Sequence, residues 1–199
     1  MNVSALYIVL ETTSIGPVIK FAAIGLVLLG TYLIKSFRNR TMDKIELYED
    51  FSRPFAVKLL MQKYISTLPF TIDYQNPEEE LNNLGAVYGK NTGGALFVVR
   101  VGDELVGCVA LKNLGNKRCE MKRLYVKEDH RGYGHGKKLL KAIIAKAKEM
   151  NYHSMFLDTH QESQKLAIIM YKKMGFVECP DYHPNPGKLL CLRLDLGLK

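Results

Sequence analysis

Between Ala95 and Val126, three short apolar and β-branched runs are separated by two glycine-containing turns. ALFVVRV ends at Gly102-Asp103, ELVGCVALKNL ends at Gly115-Asn116, and RCEMKRLYV follows. Runs of this kind predict a three-stranded antiparallel meander over Ala95–Val101, Glu104–Leu114 and Arg118–Val126. Strict alternation places Glu120, Lys122, Leu124 and Val126 on one face of the third strand and Met121, Arg123 and Tyr125 on the other. The period then changes. Leu139, Leu140, Ile143, Ile144, Ala147 and Met150 recur at helical spacing with lysines opposite, predicting an amphipathic helix over Lys137–Met150. SMFLDTH (Ser154–His160) reads as a buried strand. ESQKLAIIMYKKM reads as a second amphipathic helix with Leu166, Ala167, Met170, Tyr171 and Met174 inward and Gly175 ending it. FVECP and KLLCLRLDL supply two closing strands.

Upstream, Phe51–Leu68 carries Phe55, Leu59, Leu60, Tyr64 and Ile65 at helical spacing, with Pro54 suited to a first turn. A further helix follows Asn76-Pro77. There Asn76 is suited to cap, Pro77 to open, and Glu78 to Glu80 to face the positive end of the helix dipole. The order of elements predicts an α+β fold: a central mixed, mostly antiparallel sheet flanked by helices, preceded by an N-terminal hydrophobic helix.

That leading segment stands apart. VIKFAAIGLVLLGTYLI (Val18–Ile34) holds one charge, Lys20, and as a helix would reach about 25 Å, close to the thickness of a bilayer core. Phe37 extends the apolar stretch, Lys20 can snorkel, and Lys35, Arg38, Arg40 and Lys44 follow. Residues 17–37 are therefore a candidate membrane anchor, with the N-terminus outside and the folded domain in the cytoplasm. The alternative is that residues 1–41 are an upstream extension and the protein starts at Met42, leaving a cytoplasmic domain. Either reading divides the chain into a segment 1–41 and a domain 42–199.

Composition changes the picture in two ways. The net charge of +8 suits an anionic partner. The four cysteines, Cys108, Cys119, Cys179 and Cys191, form no C-x-x-C pair and have no zinc-type spacing with histidine, so they read as reduced thiols and no metal is expected.

The sharpest chemical feature is HRGYGHGKK (His130–Lys138), glycines on alternate positions just before a helix. Glycine permits positive φ, and successive N–H groups can then line one concavity at a helix N-terminus, which is a site for phosphate. The segment is not a P-loop, because Gly136-Lys137 is followed by Lys138 rather than Ser or Thr. A dinucleotide fold is disfavoured because the preceding strand belongs to an antiparallel meander.

R-G-Y-G-H-G, preceded by CEMKRLYV and followed by an amphipathic helix, a strand and AIIMYKKMGFVE, resembles the GNAT superfamily of N-acetyltransferases. Arg131, Gly134 and Gly136 match its Gln/Arg-x-x-Gly-x-Gly/Ala pattern, and the resemblance spans Asp43 to Leu196 without the leader. It implies an acyltransferase that takes acetyl-CoA as co-substrate and passes the acetyl group directly to a primary amine of a small molecule or peptide. The cofactor would lie in a V between splayed strands around Leu124–Val126 and Ser154–Leu157. Backbone groups of Leu124, Tyr125 and Val126 would hold the pantetheine arm. Those of Arg131, Gly132, Tyr133, Gly134, His135, Gly136 and Lys137 would hold the diphosphate. Tyr171 would donate to the leaving thiolate, and Glu120 would be the general base.

Asp158 and His160 are further pocket candidates. Ser163 and Gln164 stand where the family often has an asparagine. The N-terminal helices, the Leu68–Tyr74 loop and the Tyr182–Pro186 hairpin, with Tyr74, Tyr182, His183 and Asn185, would select the amine. One polyphosphate cofactor accounts for the basic charge, so no nucleic acid partner is expected, and a homo-oligomer is left open. A non-catalytic acyl-CoA-binding regulatory domain is the alternative function.

Overall fold

The computed structural model describes residues 43–52, 54–69, 72, 76–184 and 189–197, together with Gly30. The chain divides into two compact units, Met1–Asp43 and Lys44–Lys199. Apart from Gly30, the expected anchor over Val18–Ile34 lies outside the described residues. Among those residues no helix is long and apolar enough to cross a membrane.

The folded unit is a seven-stranded sheet covered on both faces by helices. In chain order the elements are β1 (Asp43–Leu47), α1 (Phe55–Ser66), α2 (Pro77–Asn82), α3 (Leu84–Tyr88), β2 (Ala95–Val101), β3 (Glu104–Gly115) and β4 (Arg118–Val126). They continue with α4 (His135–Glu149), β5 (Ser154–Thr159), α5 (Lys165–Lys173), β6 (Val177–Glu178) and β7 (Leu190–Asp195). The strand order is β1-β2-β3-β4-β5-β7-β6. β2 to β4 form the expected antiparallel meander, β4 and β5 run parallel, and β7 is antiparallel to both β5 and β6. β1 was not legible. DKIEL is short and half polar, and it is a strand because it lies at the sheet edge beside β2, where Tyr48 N–H donates to Leu96 O at 2.7 Å.

Two separate cores sandwich the sheet. Leu139, Leu140, Ile143, Ile144 and Ala147 of α4 bury the stripe expected of them, together with Tyr171 and Phe176. On the opposite face Val57, Leu60 and Met61 of α1 pack with Leu81, Leu84 and Tyr88. Here two expectations fail. Phe55 and Leu59 are 72% and 49% exposed, because the face of α1 that meets the sheet runs through Val57, Leu60, Met61 and Tyr64. Leu166 is 84% exposed, and α5 buries Ile168 and Tyr171 instead. Asn76 precedes α2 in a left-handed conformation without capping it, and its amide binds the Glu79 carboxylate.

One irregularity shapes everything near the groove. Cys108 pairs with Tyr125 but Ala110 pairs with Lys122, so two steps on β3 oppose three on β4. The extra residue is a bulge at Arg123-Leu124, with Arg123 at φ 58°. It shifts the alternation. Leu124 and Val126 pack with Cys119 and Met121 against the α4 core, while Tyr125 joins Cys108 and Ala110 on the α1–α3 side. Glu120 and Leu124, expected on one face, therefore lie on opposite faces.

A left-handed arginine is strained. Its side chain makes the compensation. Arg123 Nε and Nη2 donate to Glu80 Oε1 and Oε2 at 2.8 and 2.6 Å, and the Tyr88 hydroxyl donates to Glu80 Oε1 at 2.7 Å. Both charged residues are buried, at 6% and 7% exposure. Burial pushes the Glu80 carboxyl up, but the hydrogen bonds and charge of Arg123 outweigh this and hold it below its usual value. The bidentate pair thus ties the bulge to α2.

Removing one partner leaves a buried charge unpaired, so Arg123→Ala should destabilise the protein by about 3–5 kcal/mol in denaturant unfolding. Because the folded-state carboxyl is depressed, Glu80 contributes stability above its usual value of 4.5 and loses it as pH falls through the lower folded value. The stability gap between wild type and Glu80→Gln should therefore narrow below pH 4.5.

Candidate active site

The β4–β5 ladder is short. Arg118, Cys119 and Glu120 pair with Ser154, Met155 and Phe156, and beyond them the described residues form no further β4–β5 pairs. Beyond the bulge the ladder is not continued, and a groove of about 810 Å³ opens beside the end of β4. One wall is Leu124, Tyr125 and Val126, the other is the start of α5 from Glu162 to Met170, and the glycine loop closes one end. The Leu124–Val126 wall is the one expected from the sequence, whereas Ser154–Leu157 does not line this groove; its volume falls within the usual range for a small-molecule site.

The loop shows why its glycines are needed. After a 3-10 turn over Glu128–His130, Gly132 and Gly134 both take φ 83°. A Cβ at either would meet open space, so the requirement is the backbone conformation and not crowding. Gly134 precedes α4, which starts at His135, two residues earlier than expected, with no side chain capping it. The first helical bond runs from Lys138 N–H to Gly134 O at 3.0 Å. The first-turn N–H groups have no acceptor within the helix, and the dipole concentrates positive potential at the groove. Arg131 is a clamp: its Nε donates to Val126 O at 3.0 Å, and its guanidinium lies 5.8 Å from the Tyr125 ring centroid. It fixes the loop to the end of β4.

At its other end the groove meets a smaller chamber. Tyr64, Leu124 and Gln164 line both, and Ile72, Asp158, His160 and Tyr171 line the chamber. Tyr171 sits on the buried face of α5 with its ring 5.9 Å from Phe176. Burial raises its pKa far above that of a free phenol, with Tyr64 and Asp158 adding to the shift, so its hydroxyl remains a neutral donor. Of the family's asparagine position, Gln164 lines both cavities, whereas Ser163 turns to His160. Ser163 N–H lies 3.2 Å and its hydroxyl 2.9 Å from His160 Nδ1.

Glu120 is 4% exposed and does not line the chamber. It accepts from the Tyr182 hydroxyl at 2.8 Å, with Lys122 Nζ at 3.8 Å and His183 Nε2 at 3.9 Å. His183 Nε2 also lies 3.1 Å from Asp158 Oδ2. Asp158, from β5, is the carboxylate that reaches the chamber. The C-terminal hairpin thus does arrive at the site through Tyr182 and His183, while Tyr74 and Asn185 fall outside the described residues. Sequence reasoning missed Tyr64, which forms part of both cavities. It was read only as a member of an apolar helical stripe, and nothing in the stripe distinguishes it.

Comparison with known proteins agrees with this architecture. The model of the acetyltransferase (GNAT) family matches residues 44–176, more than half of the chain. An uncharacterized N-acetyltransferase of Schizosaccharomyces pombe is 35% identical, covering 80% of this chain and 96% of its own. Among solved structures, an acetyltransferase from Streptococcus agalactiae superposes with a TM-score of 0.66 at 19% identity, over 78% of this chain and 99% of that one. The yncA protein of Salmonella typhimurium, solved with its cofactor acetyl-CoA, superposes with a TM-score of 0.60 at 19% identity, over 77% and 94%. The chain belongs to the GNAT family of acetyltransferases: it is an acyltransferase whose co-substrate is acetyl-CoA. The groove fits that group, because its backbone-lined end suits a diphosphate and its narrow wall of β4 suits an extended arm.

A side chain at position 134 would resist the left-handed backbone that the cradle uses. Gly134→Val should weaken acetyl-CoA binding by about tenfold or more, measured by titration calorimetry, corresponding to the roughly 1–2 kcal/mol cost of that conformation.

Proposed function

We propose that the protein acetylates a primary amine of a small molecule or peptide by direct attack on the thioester of acetyl-CoA. The observation that carries this reading is the junction of groove and chamber at Leu124, Tyr64 and Gln164, flanked by a neutral donor, Tyr171, and a carboxylate, Asp158. Direct transfer needs a neutral amine and a stabilised leaving thiolate. The amine's proton passes to the Asp158 side of the chamber. From there His183, 3.1 Å from Asp158 and 3.9 Å from Glu120, connects to the base expected from the sequence. The neutral nitrogen then attacks the thioester carbon, the tetrahedral intermediate gives up its extra N–H proton to the Asp158 side, and it collapses with loss of coenzyme A as thiolate. Tyr171 donates its hydrogen bond to the sulfur as that charge develops. No protein nucleophile takes part.

In this reading Leu124, Tyr125 and Val126 hold the pantetheine arm by backbone hydrogen bonds, while the turn from Arg131 to Lys137 holds the diphosphate. We also place a single-span anchor at Val18–Ile34, with the acetyltransferase domain from residue 42 onward on the cytoplasmic side. Its support is an apolar run interrupted only by Lys20 and followed by a basic flank.

An amine panel monitored by release of free coenzyme A thiol tests the reaction. Amine-dependent release is expected, and acetyl-CoA binding without any such release would refute it. Tyr171→Phe should lower kcat by about 10²-fold with little change in acetyl-CoA affinity. Equal loss of both would mean that Tyr171 only packs. The full chain should remain in the pellet after alkaline carbonate extraction of membranes, and a chain lacking residues 1–41 should leave it. Full-length protein in the supernatant would reject the anchor.

A further inference from the structure

The Glu120–Asp158–His183 group, which the proposed reaction uses to carry a proton, also has the geometry of a ligand set. Its three side chains come from β4, β5 and the segment before β7, so no short sequence motif could announce it. Each offers one ligand atom, and these atoms lie within 4.8 Å of one another. His183 Nε2 is 3.1 Å from Asp158 Oδ2 and 3.9 Å from Glu120 Oε1. A cation with bonds of about 2.0–2.2 Å to nitrogen and carboxylate oxygen joins donors about 3–4 Å apart with little movement.

The surroundings orient the donors. His183 Nδ1 lies 2.7 Å from Pro184 O, so its N–H donates to that carbonyl and the ring turns Nε2 toward the carboxylates. A backbone carbonyl on the distal nitrogen is the usual outer support of a metal-bound histidine. The Tyr182 hydroxyl, 2.8 Å from Glu120 Oε1, supports the second ligand in the same way. In the tautomer with the proton on Nδ1, Nε2 is the free ring atom that a cation would bind together with one oxygen from each carboxylate. Lys122 Nζ, 3.8 Å from Glu120 Oε1, offsets part of the Glu120 charge.

We propose that Glu120, Asp158 and His183 bind a divalent transition-metal cation of the zinc class at the back of the acceptor chamber. One imidazole and two carboxylates make a borderline-to-hard donor set with an open coordination position, and two negative charges balance the ion. Asp158 is a chamber wall, whereas none of the three residues lines the cofactor groove. Occupancy therefore withdraws Asp158 from the acceptor and slows amine-dependent turnover while acetyl-CoA binding is kept. That last consequence rests on the proposed reaction; the metal site does not.

The test is a titration of the full chain, stripped by chelator, with Co²⁺ followed by visible absorption and with Zn²⁺ followed by equilibrium dialysis. One ion per chain is expected. His183→Gln and Asp158→Asn should each weaken binding by at least about tenfold, His153→Gln should leave it unchanged, and all three should bind acetyl-CoA as wild type does, which reports an intact fold. Absence of a bound ion, wild-type affinity in either ligand variant, or an intense thiolate-to-cobalt band marking a cysteine site would each overturn the proposal. If the ion binds as expected but Zn²⁺ leaves turnover unchanged, the metal site stands and the acceptor assignment of the chamber falls.

Discussion

The groove depends on one buried ion pair. A parallel neighbour to β4 would ordinarily continue its ladder, closing the gap between β4 and β5. Here the ladder stops after Glu120, and the bulge at Arg123-Leu124 turns the rest of β4 away. A positive-φ arginine persists only when its surroundings hold it. Glu80 does so from α2, a six-residue helix that packs in the α1–α3 core. The opening beside β4 is thus maintained by a short helix packed in the α1–α3 core. Buried pairs are weak evidence for net stability, and this one is better understood as a specifier of local backbone geometry.

The bulge also sets the division of labour between the faces. By restarting the alternation it turns Leu124 and Val126 toward α4 and α5, and leaves Glu120 and Lys122 on the face that carries Tyr182. The cofactor end is served by backbone donors and a helix dipole, which recognise a permanent negative charge without needing a side chain to match it. The acceptor end is served by carboxylates, an imidazole and phenols, whose protons can be exchanged. The chain's net charge of +8 is therefore no guide to its acceptor. The chamber lining mixes signs, with Asp158 beside Lys122 and Arg123.

Much of the frame was legible because it follows from local patterns. The β2–β4 meander, the stripe of α4 and the phosphate loop are each written in consecutive residues. The stop after α5 is too: Gly175 has φ 94° and Phe176 N–H bonds Tyr171 O at 3.1 Å. What failed was non-local. The face of α1 is selected by where the sheet lies, so the i, i+4 pair Phe55 and Leu59 misleads. β1 gains its identity from the edge it joins. The bulge at Arg123 is invisible to an alternation rule because its cause, Glu80, is far away in the chain. The placement of Glu120 inherited that error: an expected neighbour of the acyl end became a buried partner of Tyr182.

The same reasoning explains why the loop identifies the acyl carrier and leaves the acceptor open. A diphosphate cradle can be built from one turn and one helix start, so its whole recognition element is contiguous and its demand on sequence is strict: positive φ at Gly132 and Gly134. The acceptor chamber is assembled from α1, β4, β5, α5 and the segment ahead of β7, elements far apart in the chain whose contributing side chains are of common types. Apart from Arg123 and Leu124, which also shape the groove, these side chains can be exchanged with less consequence for the loop that holds the cofactor. Specificity for the amine can therefore diverge on a constant frame, and it is read from the side chains that meet around Asp158 rather than from the motif at His130–Lys138.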